Sequence, residues 1–133
     1  MSNGINKAII MGKISDDPFY TTTHENIEAC YFHVATHFDH FSKETGKKTK
    51  GTVYHKICLY GRMADEYASL IKQGTIIAIE GYMRYRKFKT KSDQLKLMLE
   101  VVAEKADIVD ISCNNISQEQ EDDFYSQYEW NRT

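Results

Sequence analysis

The sequence predicts an all-β fold, a small barrel with one helix. Apolar side chains recur at every second position in five segments, which is typical of half-buried strands. One further segment, between Gly61 and Gly74, has its apolar residues at helical spacing instead. A chain of 133 residues is long enough for one compact domain and leaves little for a second. The predicted strands span residues 5–14, 28–38, 53–60, 75–85 and 95–101.

The first two predicted strands are separated by a turn. Apolar residues dominate the first strand around Gly12, and a turn sequence that ends at Pro18 follows it. The second strand alternates, and the polar, lysine-rich stretch at 42–51 predicts a hairpin tip after it. The apolar face of the second strand comprises Cys30, Phe32, Val34 and Phe38.

The third predicted strand leads into the helix. Alternation through Val53, Ile57 and Leu59 places these side chains on one face. After them, apolar residues stand three or four positions apart, which is the spacing of one helix face. Gly61 is suited to the N-cap, and Gly74 to the left-handed position that follows a last helical turn. The residues at helical spacing are Met63, Tyr67, Leu70 and Ile71.

Two more strands complete the predicted barrel, separated by a second polar tip at 89–94. The order of three strands, one helix and two strands is that of an OB-fold, a five-stranded Greek-key barrel with its helix between strands three and four. A ferredoxin-like sandwich would need two helices, and a doubly wound sheet would need one after nearly every strand. The alternating residues are Ile77, Ile79, Gly81, Met83 and Tyr85, then Leu95, Leu97, Leu99 and Val101.

Charge is unevenly distributed along the chain. The whole sequence has 17 basic and 19 acidic residues, a net charge of −2 and a pI near 6.2. Residues 1–111 hold 16 basic and 14 acidic side chains, whereas residues 112–133 hold one and five. This asymmetry predicts an OB-fold domain over residues 1–111 and a short acidic C-terminal tail over residues 112–133.

Composition also indicates the compartment. The longest apolar runs are far shorter than the ~20 residues that cross a bilayer, so we expect no membrane association. No signal-peptide pattern opens the chain. The three cysteines, Cys30, Cys58 and Cys113, are odd in number and form no CxxC pair, which favours reduced, buried thiols. We therefore expect a cytoplasmic protein.

Catalytic and metal-binding patterns are missing from the sequence. A phosphate loop at residues 41–48 would need Gly at position 41 and Ser or Thr at position 48, which are Phe41 and Lys48. GxSxG and HExxH are absent. His33 and His37 share a strand face, but four strand residues separate them by ~13 Å, too far for one metal ion. We therefore predict a protein that is not an enzyme and has no cofactor or metal.

The faces opposite the predicted core carry aromatic and basic residues. If Ile57, Leu59, Ile79 and Met83 enter the core, aromatics and cations alternate on the solvent side of the third and fourth strands. Residues 43–62 and 84–96 each hold six basic residues and one acidic residue. Rings among cations suit single-stranded nucleic acid, because unstacked bases lie on the rings while Lys and Arg follow the phosphates. The residues on these faces are Tyr54, Lys56, Cys58, Tyr60, Tyr82, Arg84, Arg86 and Phe88.

A second interpretation of these faces stays open. Aromatics favour strands in general, and exposed rings such as Tyr82 also pack against other subunits. On that interpretation the barrel is a protein-interaction or accessory module, such as a replication-restart factor, with only residual DNA affinity. Affinity for single strands that persists without partner proteins would distinguish the two interpretations.

Six segments resemble the bacterial-type single-stranded DNA-binding protein family, in the family's order, over about residues 3–111. The resemblance implies an OB-fold homotetramer that binds single-stranded DNA with little sequence preference. It also implies that the protein is associated with the nucleoid, where it protects and organises this DNA in replication, recombination and repair. The segments are residues 6–14, 32–36, 54–57, 59–64, 72–74 and 79–88.

The resemblance assigns roles to individual residues. It implies that His55 supports subunit contact, and that two groups of side chains contact DNA. Bases would stack on Tyr54, Tyr60, Phe88 and His40. Phosphates would be bound by Lys43, Lys56, Arg62, Arg84, Arg86 and Lys87.

The chain departs from the family in its rings and in its tail. Tryptophan is common in the family at the positions of His40, Tyr54 and Phe88, and Phe41 is a neighbouring candidate for the ring at position 40. The family's long linker and its apolar-Pro-Phe tip are missing. The acidic tail, with Asp122, Asp123 and Phe124, remains a candidate site for protein partners.

Overall fold

The computed structural model describes residues 3–110. These residues form six strands and one helix, and the predicted tail at 112–133 lies outside them. The elements are β1 (Ala8–Ile14), β2 (Phe19–Thr22), β3 (Glu28–Phe41), β4 (Lys48–Tyr60), α1 (Arg62–Tyr67), β5 (Ile76–Lys89) and β6 (Leu95–Asp110). The predicted OB-fold is confirmed, because α1 lies between the third and fourth of the predicted strands, here β4 and β5.

The barrel closes through strand β1. The sheet has the order β1-β5-β6-β4-β3-β2, and β1 also pairs with β3 at Lys13 and Ile14. Strands β4 and β6 run parallel, with Ile57 opposite Val101 and Cys58 opposite Val102. The other pairings are antiparallel. β6 therefore lies between β4 and β5, which brings residues distant in sequence onto neighbouring strands.

Strand β2 was not predicted from the sequence. It has only four residues, two of them exposed aromatics, and pairs with β3 between Glu28 and Tyr31. So short a segment offers no alternation to detect, because Phe19 and Tyr20 are adjacent and both exposed. β2 extends the sheet beyond β3 and takes no part in closing the barrel.

The core contains most of the residues that alternation predicted. Ile57, Leu59 and Ile79 are fully buried, as are the thiols of Cys30 and Cys58. Cys113 lies outside the described residues. Two glycines are required by close backbone approach. A Cβ on Gly12 would lie 2.2 Å from the carbonyl oxygen of Ala35, and one on Gly81 would lie 1.9 Å from that of Val102. The core cluster also includes Ile10, Ile14, Phe32, Val34, Ala64, Ile71, Ile77 and Val101.

The helix is shorter than predicted. Gly61 does occupy the N-cap position, with a φ of 65°, but α1 ends at Tyr67. The amide of Leu70 then bonds to the carbonyl of Tyr67, three residues back, so the backbone leaves the α-helical pattern. Gly74, with a φ of 98°, belongs to the turn before β5 and not to the end of the helix.

Two hairpins extend beyond the barrel. β3 and β4 stay paired to Phe41 and Lys48, and β5 and β6 to Lys89 and Leu95. The expectation that Met83 enters the core is wrong, because this side chain is 44% exposed. At this point β5 and β6 project past the barrel, and the described residues do not cover that side. Leu95, Leu97 and Leu99 on the same hairpin are exposed for the same reason.

Candidate nucleic-acid interface

One continuous surface carries most of the predicted binding residues. Residues directly opposite each other on paired strands, and every second residue along a strand, point to the same side of a sheet. Tyr31 is opposite Cys58, Cys58 is opposite Val102, and Arg84 is opposite Glu100, which joins β3, β4, β6 and β5. We call this surface the outer face. It comprises Tyr31, Tyr54, Lys56, Cys58, Tyr60, Tyr82, Arg84, Arg86, Phe88, Met98 and Glu100.

The predicted stacking rings differ in how far they are open. Tyr54 is 63% exposed, and its cross-strand neighbour Ala35 is small. Phe88 is also exposed, near the end of β5. Tyr60 is half-buried: it packs edge-on against Tyr31, with centroids 6.1 Å apart. The Tyr54 and Phe88 rings are therefore the more accessible platforms for a base.

The ring predicted at position 40 faces away from the others. β3 continues to Phe41, which lies opposite Lys48, while His40 lies opposite Thr49. The pairing from Ala35 with Tyr54 to this end has no register shift, so Phe41 shares the side of Tyr54 and His40 does not. Phe41 is 63% exposed and is the better placed of the two for stacking.

Three predicted phosphate-binding cations gather around one carboxylate. The Arg86 Nε atom lies 2.8 Å from Glu100 Oε1, and an Arg84 Nη atom lies 3.1 Å from Oε2. The Lys56 ammonium is 3.4 Å from Oε1. The Arg84 guanidinium also lies over the Tyr60 ring at 5.2 Å and donates to the Tyr60 hydroxyl. The cations are thus held beside the rings in a single layer.

The other predicted cations lie apart from this layer. Lys43 is exposed in the β3–β4 loop. Arg62 is exposed at the start of α1 and pairs with Glu66 at 3.0 Å. Lys87 lies opposite Leu97, on the other side of the β5–β6 hairpin from Arg86. Lys43 and Lys87 stand on the hairpins, where an extended strand could contact them after crossing the outer face.

His55 points away from the outer face, as alternation with Tyr54 predicts. It is half-buried, and its Nε2 atom lies 2.8 Å from the Thr36 hydroxyl. Burial lowers the pKa of His55, so the ring is held neutral. A neutral, hydrogen-bonded ring at this position suits a structural role and does not suit phosphate contact.

The described residues hold no group of three or more His, Cys, Asp or Glu side chains arranged to bind a metal ion. Burial, followed by the hydrogen bond to Glu100, raises the pKa of Cys58 to about 12. Its thiol therefore stays protonated and donates to Glu100 Oε2 at 3.2 Å. No helix in this part of the chain could span a membrane.

The single-strand binding protein family model matches residues 5–109. The chain belongs to this family. A Plasmodium falciparum single-strand binding protein, solved with single-stranded DNA, is similar at 21% identity and a TM-score of 0.72, over 83% of this chain and 99% of that one. Two Thermus aquaticus single-stranded DNA-binding protein structures also match. The deletion variant has 23% identity and a TM-score of 0.71, over 85% of this chain and 54% of that one. The wild type has 26% identity and a TM-score of 0.67, over 82% of this chain and 52% of that one.

The chain spans about half the length of the two Thermus aquaticus chains. Membership of the single-strand binding protein family confirms the resemblance seen in the sequence and supports single-stranded DNA binding as the activity. The family is a DNA-binding family without enzymatic activity.

Sequence reasoning missed three members of the outer face, Tyr31, Met98 and Glu100, which lie on strands whose outer sides it did not assign. It named Phe41 as a candidate ring but ended the predicted strand at residue 38, whereas β3 continues to Phe41. Glu100 offered one signal: among the residues that alternate with the apolar ones at 95–101, it is the only acidic one. Its partners are 14 to 44 positions away, and their identity depends on the strand order of this single-strand binding domain.

Proposed function

We propose that this protein binds single-stranded DNA with little sequence preference, and that it protects and organises such strands during replication, recombination and repair. The observation that carries the proposal is the outer face. There, the exposed rings of Tyr54 and Phe88 flank a layer of cations formed by Lys56, Arg84 and Arg86. Membership of the single-strand binding protein family supports it independently.

The chemistry of this surface favours single strands over duplexes. Unpaired bases can stack on Tyr54 and Phe88, each stacked base contributing about 1–3 kcal/mol, while cations on the same face neutralise phosphates. Bases in a duplex already stack on each other, so they cannot use the rings. Stacking accepts every base, which accounts for the low sequence preference.

The wider assignment follows from the same proposal. Residues 1–111 form the DNA-binding domain, and residues 112–133 form an acidic tail in which Asp122, Asp123 and Phe124 recruit protein partners. The protein acts as a homotetramer without enzymatic activity, in the cytoplasm with the nucleoid. The large exposed apolar side chains of Ile9, Tyr85 and Leu97 support self-association, because a monomer would leave them in water.

The same exposed side chains favour a second candidate function. Met83, Tyr85, Leu97 and Leu99 form an apolar stripe on the β5–β6 hairpin, on the side away from Arg84 and Arg86. A stripe of this kind suits an accessory module of replication restart that contacts another protein and has only residual DNA affinity.

Fluorescence anisotropy of labelled oligo-dT, with a matched duplex and a salt series, tests the proposal. We expect strong preference for the single strand, with affinity that falls steeply as salt rises. Equal or negligible binding to both nucleic acids would reject single-strand binding and favour the accessory module. Analytical ultracentrifugation of the free protein tests the tetramer separately.

A further inference from the structure

The outer face includes one fully buried carboxylate. Within residues 3–109, Glu100 is the only charged side chain with no exposed surface. Its strand, β6, runs between β4 and β5, so Lys56 approaches it from one neighbour while Arg84 and Arg86 approach from the other. Glu100 therefore sits at the point where half of the six predicted phosphate-binding cations converge.

The two oxygens of Glu100 are engaged differently. Oε2 accepts hydrogen bonds from Arg84 at 3.1 Å and from the Cys58 thiol at 3.2 Å. Oε1 lies 2.8 Å from Arg86 Nε and 3.4 Å from Lys56 Nζ, but no described residue gives it an aligned hydrogen bond. Oε1 is therefore held mainly by charge, and three cations share one anion.

We propose that Glu100 is an internal counter-ion that limits how many DNA phosphates the outer face neutralises. The inference rests on the proposed function, and it makes Glu100 a positioning residue that acts through Lys56, Arg84 and Arg86. An approaching strand meets three cations and one anion, a net charge of two where the cations alone would supply three. The remaining predicted cations, such as exposed Lys43, lie outside this arrangement.

Glu100 keeps its charge throughout the neutral range. Burial alone would raise the pKa of this carboxyl. The hydrogen bond from Cys58 and the surrounding cations lower the pKa by more than burial raises it, so the net shift is downward. Solvent ions screen buried pairs much less than exposed ones. The negative charge therefore persists at the salt concentrations where DNA binding is measured.

The Glu100→Gln variant tests the inference. It removes the negative charge and keeps the shape of the side chain, and the partly exposed arginines can be hydrated once released. Glu104→Gln is the matched control, because it changes the net charge equally at an exposed position on the same strand. Both variants and the wild type are titrated with oligo-dT across a salt series.

The readout is the slope of log affinity against log salt, which a purely structural role would not steepen. Each added phosphate contact steepens it by ~0.7 for single strands. We expect Glu100→Gln to bind more tightly at low salt, and its slope of log affinity against log salt to be steeper by about 0.7. Its advantage over wild type then shrinks roughly two- to threefold between 50 and 200 mM salt. Glu104→Gln should follow the wild-type slope.

If Glu100→Gln fails to fold, a second pair of variants tests the same inference. The Met98 sulfur lies 3.2 Å from Lys56 Nζ, so Met98→Glu adds a second anion to the cluster, whereas Leu95→Glu adds one on the other side of the strand. We expect only Met98→Glu to flatten the slope, again by ~0.7. Equal slopes within either pair would overturn the inference while wild-type binding stands. Failure of the wild type to prefer oligo-dT would overturn the proposed function and the inference together.

Discussion

Tyr54→Ala is the most direct test of base stacking on this domain. The ring is 63% exposed on the outer face, opposite the small Ala35, so one side of it is free for a base. A stacked base contributes about 1–3 kcal/mol. Because a tyrosine ring offers less stacking area than an indole, we expect Tyr54→Ala to lose an amount in the lower part of this range, ~1–2 kcal/mol. That loss corresponds to about a 5- to 30-fold weaker Kd.

The assay is anisotropy with a dT oligonucleotide of about 16 nucleotides, the upper length that one OB-fold covers. Tyr85→Ala is the matched control, because Tyr85 is a similarly exposed strand tyrosine, at 69%, on the opposite side of the β5–β6 hairpin. We expect the control to bind within about twofold of the wild type. The unfolding free energy of both variants should lie within about 0.5 kcal/mol of the wild-type value, because exposed side chains contribute little to stability.

Two results would refute the stacking assignment. Tyr54→Ala could bind as tightly as the wild type, which would show that no base rests on this ring. Tyr85→Ala could instead keep the wild type's assembly state and lose as much affinity as Tyr54→Ala, which would locate DNA on both sides of the hairpin. The first result would exclude Tyr54 as a stacking platform, and the second would show that the outer face is not the specific platform for the strand.

Four further predictions concern stability and the tail. Gly81→Ala should cost at least 1–3 kcal/mol in urea denaturation, because the new Cβ would meet the backbone of Val102; an unchanged midpoint would contradict the β5–β6 register. The unfolding free energy should fall as pH drops below about 6.5, because the unfolded chain protonates His55 more readily than the folded one; His55→Gln should flatten urea midpoints between pH 5 and 8. Deleting residues 112–133, which hold one basic and five acidic residues, should tighten oligo-dT binding at low salt, and unchanged affinity would exclude electrostatic competition by the tail. Trp130, the only tryptophan, lies in that tail, so we also expect weak fluorescence quenching by DNA.

The sequence predicted the sides of the strands well because alternation is a local property. Adjacent strand residues point to opposite sides whatever the strand pairs with, so buried Ile57 and exposed Tyr54 could be assigned without a tertiary model. The order of elements identified the barrel for a similar reason. A single helix among five alternating segments leaves few architectures to choose from.

Depth and register could not be predicted in the same way. Cys58 is on the outer face yet fully buried, and its thiol contacts Glu100 on the neighbouring strand β6. Glu100 is 42 positions away in sequence, so the residues around Cys58 give no sign of this contact. The side of Phe41 relative to Tyr54 depends on where β3 ends and how long the turn is, and one residue more would reverse it. The prediction that Met83 enters the core was wrong for a third reason, because alternation does not reveal where a hairpin leaves the barrel.

The net charge of −2 does not oppose binding of a polyanion, because at physiological ionic strength charges act over only about 8 Å. What a phosphate experiences is the local arrangement: exposed cations on the hairpins, and the buried Glu100 that offsets those nearest the rings. Salt therefore separates the two contributions of the outer face. Rising salt removes the advantage of Glu100→Gln, which acts through phosphates, but leaves the defect of Tyr54→Ala, which acts through stacking. If the Tyr54→Ala defect instead vanished at high salt, the ring would be positioning cations and the bases would have to stack elsewhere.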